Sequence, residues 1–182
     1  MLHLNELLGP DPGARATSGR ARDAVLTLSY DERRRSRLLA TLDDGREVAL
    51  MLPRGTILRH GDQLRGDGGL TVEVRAAAES LSIAATGDPH LLTRAAYHLG
   101  NRHVPLEIGG GWVAYAHDHV LDTMVRGLGL EVSPRVAPFE PEAGAFQHDG
   151  GGGHSHGGGR AHHHDHDHDR DSDRGPDHGR GP

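Results

Sequence analysis

Histidine is the residue whose number and spacing in this chain could do chemistry. Nine of the sixteen histidines lie between positions 148 and 178, where Asp165, Asp167 and Asp169 alternate with them. Neutral imidazole suits Ni²⁺, Cu²⁺ and Zn²⁺, and carboxylates add charge and oxygen donors. At two to four histidines for each ion, this region could hold roughly two to four ions. The predicted ligands here are His148, His154, His156, His162, His163, His164, His166 and His168.

Composition alone leaves the role of this histidine-rich region open. A solubility tail or an expression tag would also be polar and rich in histidine. A tag is disfavoured, because the histidines are spread over 31 positions and interrupted by aspartate. Composition does not choose between nickel, zinc and copper, or between storing a metal and delivering it.

Two smaller groups of histidines lie nearer the middle of the chain. His117 and His119 flank Asp118, and in an extended segment their side chains would point to one face and could chelate one ion. Alternatively, Asp118 is simply a helix N-cap and the two histidines are surface residues. His98 and His103 lie near the predicted end of a helix, where the helix dipole favours histidine in any case.

The rest of the composition excludes several classes of function. Cysteine is absent, so thiolate zinc sites and cysteine nucleophiles are excluded. All twenty basic residues are arginine, so the chain lacks the lysine of a P-loop or a Schiff base. The net charge of −6 argues against a general nucleic-acid binder. Without a membrane-spanning run or a signal peptide, we expect a cytoplasmic protein that binds neither nucleic acid nor membrane.

The first part of the sequence, residues 1–75, is predicted to be rich in β-strands. Short stretches of alternating polarity are separated by turn signals such as Asp44-Gly45, which favours a small β-barrel or sandwich. The run Arg33-Arg34-Arg35 is interpreted as a solvated turn. The predicted strands are Ala24–Ser29, Arg37–Leu42, Glu47–Leu52 and Leu70–Arg75.

The second part, residues 76–147, alternates strands and helices in the order β-α-β-β-α-β, which is that of the ferredoxin-like fold. Asp88-Pro89 is typical of a helix start, and Gly100 and Gly129 are typical of helix ends. Residues 148–182 contain no large apolar side chain, so we expect this tail to be disordered. The prediction is therefore an α+β chain: a β domain at 1–75, a ferredoxin-like domain at 76–147 and a disordered tail at 148–182.

Three segments carry a resemblance to a known family. The stretch from Arg94 to Leu106 resembles the signature of the urease accessory protein UreE, and it includes the sequence Tyr97-His98-Leu99-Gly100-Asn101-Arg102-His103. The segments Tyr115–Leu121 and Phe139–Phe146, the latter before a histidine-rich end, are similar to the same family. The resemblance covers both predicted domains and the tail.

The resemblance implies a dimeric nickel metallochaperone that catalyses no reaction. By this resemblance His103 matches the histidine that binds nickel at the dimer interface, one from each subunit. His117 and His119 match the secondary metal-binding pair of members that have it, and His98 matches a histidine near the metal region. The tail would bind additional metal. The implied partners are the urease GTPase UreG, other urease accessory proteins and the urease apoprotein.

Physical reasoning is compatible with that placement, because a histidine near a two-fold axis meets its own copy. Three other functions are alternatives to nickel delivery. A metal-dependent hydrolase using His117, Asp118 and His119 would need further converging ligands and a carboxylate base. A buffer for nickel, zinc or copper would need no delivery role. A scaffold would use the β domain to bind a partner, with the tail incidental.

Overall fold

The computed structural model describes residues 1–10 and 22–143, and its first sheet is a six-stranded, nearly closed barrel. Its strands are β1 (Leu2–Pro10), β2 (Ala24–Leu28), β3 (Arg37–Thr41), β4 (Glu47–Met51), β5 (Asp62–Gly66) and β6 (Thr71–Ala76). They lie in the order β2-β6-β5-β1-β4-β3. The pairs β1–β4 and β2–β6 are parallel, and the other pairs are antiparallel.

The barrel encloses one apolar core, which includes Leu4, Leu26, Leu50 and Leu64, each with 1% or less of its surface exposed. The core therefore depends on β1 and β5, two strands that were not predicted from the sequence. Gly66 permits the close approach of these strands, because a Cβ atom there would lie 2.4 Å from the carbonyl oxygen of His3.

A single helical turn, α1 (Tyr30–Arg33), replaces part of the solvated turn predicted around Arg33. Ser29 and Glu32 form a capping box, in which each side chain bonds the other residue's backbone N–H. The prediction was wrong for Arg33, whose side chain is fully buried. Its charge is neutralised by Glu140, more than one hundred positions along the chain, so no local pattern could reveal it.

The second sheet is four-stranded and antiparallel, and two helices pack on it. The elements are β7 (Ala78–Ala85), α2 (Pro89–Gly100), β8 (Glu107–Gly109), β9 (Trp112–Ala116), α3 (His119–Gly127) and β10 (Glu131–Pro138). The strand order is β10-β7-β9-β8. The elements follow the predicted β-α-β-β-α-β sequence, and the α+β class is confirmed. The core between helices and sheet includes Leu99, Val113, Tyr115 and Val125.

Both long helices begin at an aspartate that caps them. The side chain of Asp88 accepts hydrogen bonds from the backbone of His90 and Leu91, and Asp118 does the same for Val120 and Leu121. These bonds satisfy N–H groups that have no partner within the helix. The caps fix where α2 and α3 start, and the cap of α3 makes His119 the first residue of that helix.

After β10 the chain forms a short clamp segment, Phe139–Glu142. Phe139 is buried and its ring contacts that of Tyr30 edge to face, with 5.5 Å between centroids. The Arg33 guanidinium donates to the carbonyl of Phe139 and pairs with Glu140. The segment therefore fastens the chain beyond β10 to the turn that contains α1.

None of the helices in residues 1–10 and 22–143 has the length and apolar character needed to cross a membrane.

Candidate metal centre

His103 closes the C-terminal end of α2 in a left-handed backbone conformation, with φ of +57°. The N–H of His103 donates to the carbonyl of Gly100, and that of Val104 donates to the carbonyl of Leu99. This pair of bonds is the Schellman motif, whose left-handed position is usually glycine. Among the described residues, His103 is the only residue other than glycine at positive φ.

The end of α3 provides an internal comparison. There the N–H of Gly129 donates to Arg126 and that of Leu130 donates to Val125, in the same spacing as at α2. The left-handed position is filled by Gly129, with φ of +101°. One helix therefore has the residue that this motif favours, and the other has a strained histidine whose side chain is exposed.

His98 lies on the last turn of α2, and its side chain is half-buried. Its ring contacts the ring of Tyr97 edge to face, with 5.4 Å between centroids. The carbonyl of His98 accepts a hydrogen bond from Arg102. His98 and His103 are therefore both at this helix end, although Tyr97 occupies one side of the His98 ring.

His117 and His119 lie on either side of the junction between β9 and α3. The N–H of His117 donates to the carbonyl of Ser80 on β7, which continues the sheet pairing past the end of β9. Asp118 is the N-cap of α3, and His119 is the first residue of the helix. The structure therefore bears out the capping role of Asp118, while both histidine side chains remain exposed.

A group of polar side chains beneath His117 was not recognised in the sequence. The Nδ1 atom of His117 lies 3.0 Å from the Oγ atom of Ser82 and 3.6 Å from an oxygen of Asp122. The Tyr115 hydroxyl donates to the other Asp122 oxygen at 2.9 Å. Ser82, Tyr115 and Asp122 are all buried, and Arg126 lies 3.6 Å from the Asp122 carboxylate.

The charges at this junction follow from burial and hydrogen bonding. Burial raises the pKa of Tyr115, the hydrogen bond to Asp122 raises it further, and a hydrogen bond with Ser82 opposes the rise. Hydrogen bonds from the backbone N–H groups of Leu121 and Val120 lower the pKa of Asp118. The Tyr115 phenol therefore stays neutral, and Asp118 stays a carboxylate between the two histidines.

The described part of one chain contains no group of three or more His, Asp or Glu side chains placed to hold one metal ion. The predicted site residues instead form two groups, His98 with His103 at the end of α2 and His117 with His119 at the start of α3. The eight tail histidines predicted as ligands lie outside the described residues, at His148, His154, His156, His162, His163, His164, His166 and His168.

Comparison with known protein families gives matches along most of the chain. The model of the N-terminal domain of the UreE urease accessory protein matches residues 4–77. The model of the C-terminal domain of the same protein matches residues 79–170.

Two relatives show how similar individual proteins are. The urease accessory protein UreE of Alkalilimnicola ehrlichii is 60% identical over 124 residues, which are 68% of this chain and 76% of the relative. The urease accessory protein UreE of Pseudomonas putida strain GB-1 is 57% identical over 138 residues, which are 75% of this chain and 81% of the relative.

Proposed function

Because the chain belongs to the UreE family of urease accessory proteins, the nickel metallochaperones of urease maturation, we propose that His103 is its central nickel ligand. Membership of this family argues against a metal-dependent hydrolase, because the family consists of accessory metallochaperones rather than enzymes. It also favours nickel delivery over buffering or a scaffold role. Nickel is thus the cargo of this protein.

The observation that carries the assignment is the backbone of His103. A left-handed conformation costs a residue with a Cβ atom about 1–2 kcal/mol, which glycine would avoid. The motif at the end of α3 uses glycine in the same position, so the fold itself does not require a histidine there. A strained residue with an exposed imidazole is typical of a functional position.

We propose that two copies of the chain share the ion as a homodimer. A two-fold axis beside the end of α2 would bring His103 to its own copy, giving two imidazoles from two chains. Large apolar side chains are exposed in this half of the chain, among them Tyr97 at 64% and Val120 at 62%, and such residues are enriched in interfaces. The remaining ligand positions would go to tail histidines or water, which allows the ion to be released.

The other histidines would supply and hold further metal. In this proposal Ni²⁺ is captured by the tail histidines and passes to the His103 pair, with His117 and His119 as a secondary site and His98 beside the first. The same imidazoles would accept Cu²⁺ or Zn²⁺, since ligand type alone does not select nickel.

The family implies interaction with other urease accessory proteins. We propose that the partner in transfer is the urease GTPase UreG, which would supply the nucleotide chemistry that a chain without lysine lacks. The urease apoprotein would be the final acceptor, and the location would be the cytoplasm. The division into units would be a partner-binding β domain at 1–75, a metal-binding and dimerising domain at 76–147 and a metal-capturing tail at 148–182.

Removing residues 148–182 should lower the number of nickel ions bound without removing the tight one. Nine histidines are lost, so calorimetric titration with Ni²⁺ should show a loss of roughly two to four ions for each chain. About one tight ion for each dimer should remain, because the His103 pair lies outside the deleted segment. A truncated chain that bound no tight nickel would contradict a central site at His103.

Loss of the whole chain should impair urease maturation when nickel is scarce. Cells that express a urease but lack this protein should contain urease protein with little bound nickel, and excess nickel in the medium should restore part of it. The measurement is nickel content for each purified urease molecule, with total urease protein as the control. Full nickel occupancy in the absence of the chain would point instead to a buffering role.

A further inference from the structure

The polar side chains buried beneath His117 lie within hydrogen-bonding or ion-pairing distance of the imidazole or of each other. We propose that they position the His117 imidazole, keeping a proton on Nδ1 and leaving the Nε2 lone pair free for a metal ion. The three positioning residues, which we call the His117 relay, are Ser82, Tyr115 and Asp122. This inference rests on the proposed function, because it concerns a histidine assigned there to the secondary nickel site.

The sheet register places the members of the His117 relay together. Ser82 on β7 is the direct cross-strand partner of Tyr115 on β9, so their side chains share one face of the sheet. Asp122 lies on α3, where its carboxylate accepts from the Tyr115 hydroxyl at 2.9 Å. His117 is two residues beyond Tyr115, and its Nδ1 atom lies 3.0 Å from the Ser82 oxygen.

The direction of the hydrogen bonds follows from the carboxylate at the end of the relay. A carboxylate such as Asp122 can only accept hydrogen bonds, so Tyr115 donates its single hydroxyl proton to Asp122. Ser82 lies opposite Tyr115 in the sheet, and its hydroxyl oxygen can accept from His117 at 3.0 Å. The opposite arrangement would place the Nδ1 lone pair 3.6 Å from a carboxylate oxygen, where the two repel each other.

The environment of the carboxylate reinforces this direction. Arg126 lies 3.6 Å from the oxygen of Asp122 that faces His117, so this oxygen is shared between a guanidinium and the imidazole. The Asp122 side chain is 7% exposed, whereas that of His117 is 46% exposed. The Nδ1 atom is therefore the ring nitrogen held by buried side chains, which leaves Nε2 as the nitrogen for a metal ion.

A fixed ring orientation matters for a metal ligand. Histidines that bind metals usually donate the proton of their other ring nitrogen to a carboxylate, a carbonyl or another acceptor, which selects the tautomer and orients the ring. Removal of such a partner typically weakens metal binding 10–100-fold. Ser82 would therefore act on the metal through His117 without touching it.

The tautomer of His117 can be measured directly in the metal-free full-length chain. Nitrogen-15 NMR of the histidine rings, at about pH 8 where ordinary imidazoles are neutral, should show His117 with its proton on Nδ1. The signal is assigned by its loss in His117→Gln. Ser82→Ala and Asp122→Asn should each shift the ring towards the Nε2-protonated tautomer. Ser80→Ala, the same change at an exposed position on β7, should leave the tautomer unchanged.

Nickel binding at His117 is then read from the same signals. Paramagnetic Ni²⁺ broadens the ring signal of a histidine that binds it, and nitrilotriacetate sets the free Ni²⁺ concentration. We expect the free Ni²⁺ concentration that broadens the His117 signal by half to rise 10–100-fold in Ser82→Ala and Asp122→Asn. It should stay unchanged in Ser80→Ala. If one relay variant does not fold, the other still decides the result.

The outcomes distinguish the proposed nickel site at His117 from the positioning role of the His117 relay. If nickel broadens His117 but the ring is already Nε2-protonated in the parent chain, the relay is wrong and the proposed site stands. The relay is equally overturned if both folded variants retain the parent tautomer and the parent nickel midpoint. If nickel leaves His117 sharp while broadening other histidines, His117 is not a ligand, and both its proposed role and the relay's purpose fail.

Discussion

Replacing His103 with glycine should abolish the tight nickel site and at the same time raise the free energy of unfolding by about 1 kcal/mol. The two effects have separate causes. The imidazole is the proposed ligand, so its removal takes one ligand from each chain of the dimer. Glycine relieves the left-handed backbone, because it populates positive φ without steric cost.

Three variants distinguish these causes. His103→Ala should lose the tight ion without the gain in stability, because alanine keeps a Cβ atom in the strained conformation. Gly129→Ala should cost about 1 kcal/mol, because it introduces the same strain into the equivalent motif at the end of α3. His90→Ala, which removes an exposed imidazole from the first turn of α2, should leave the tight ion in place.

The measurements are nickel calorimetry on the chain without residues 148–182 and urea unfolding on metal-free protein. A chelator must be present during unfolding, because a bound ion would stabilise the parent chain and hide the strain. A glycine variant that still binds one tight nickel ion for each dimer would reject His103 as the central ligand. A glycine variant less stable than the alanine variant would show that the left-handed backbone is not the solution conformation.

The helical half of the fold could be predicted because its signals are local. Asp88 and Asp118 cap the two long helices at the predicted positions, and Gly129 occupies the left-handed position at the end of α3. Each of these residues acts within one turn of its helix, so its spacing in the sequence is enough. The strand β1 lacked such a signal, because two irregularities against β5 interrupt its alternation of polar and apolar residues.

The candidate site could be predicted only as far as its exposed histidines. The positive φ of His103 follows from the Schellman bonds at the end of α2, and nothing in its residue type shows that a histidine fills the place of glycine. Ser82 is a serine in an otherwise ordinary strand, and it becomes significant only because the register sets it opposite Tyr115. Residues that orient a ligand depend on tertiary contacts, which composition and spacing do not encode.

The second large effect is expected at the clamp segment, where Glu140→Ala should lower the free energy of unfolding by about 2–4 kcal/mol. The Arg33 side chain is fully buried and pairs with Glu140, which is itself 31% exposed. Removing the carboxylate leaves the guanidinium buried, and within residues 1–10 and 22–143 only the carbonyl oxygens of Leu58 and Phe139 then accept from it. An uncompensated buried charge is among the costliest single changes in a protein.

Further contacts of Glu140 add to the expected loss. Its carboxylate accepts from the backbone N–H of His60 at 3.3 Å and lies 3.8 Å from Arg59. Through these bonds it joins α1, the chain before β5 and the clamp segment. The same segment is held to β8, because the N–H of Glu140 donates to the carboxylate of Glu107 at 2.9 Å.

Urea unfolding of metal-free protein, followed by circular dichroism, measures the effect of Glu140→Ala. The matched control is Glu142→Ala, the same change two residues away at an exposed position, which should alter stability by less than about 0.5 kcal/mol. Nickel stoichiometry under conditions where both variants are folded should match the parent chain, because the clamp segment holds no proposed ligand. Equal stability of the two variants would mean that the Arg33 charge is compensated without Glu140, by water or by the carbonyls alone. A loss confined to Glu140→Ala would instead show that the clamp segment is held to the barrel through one buried cation.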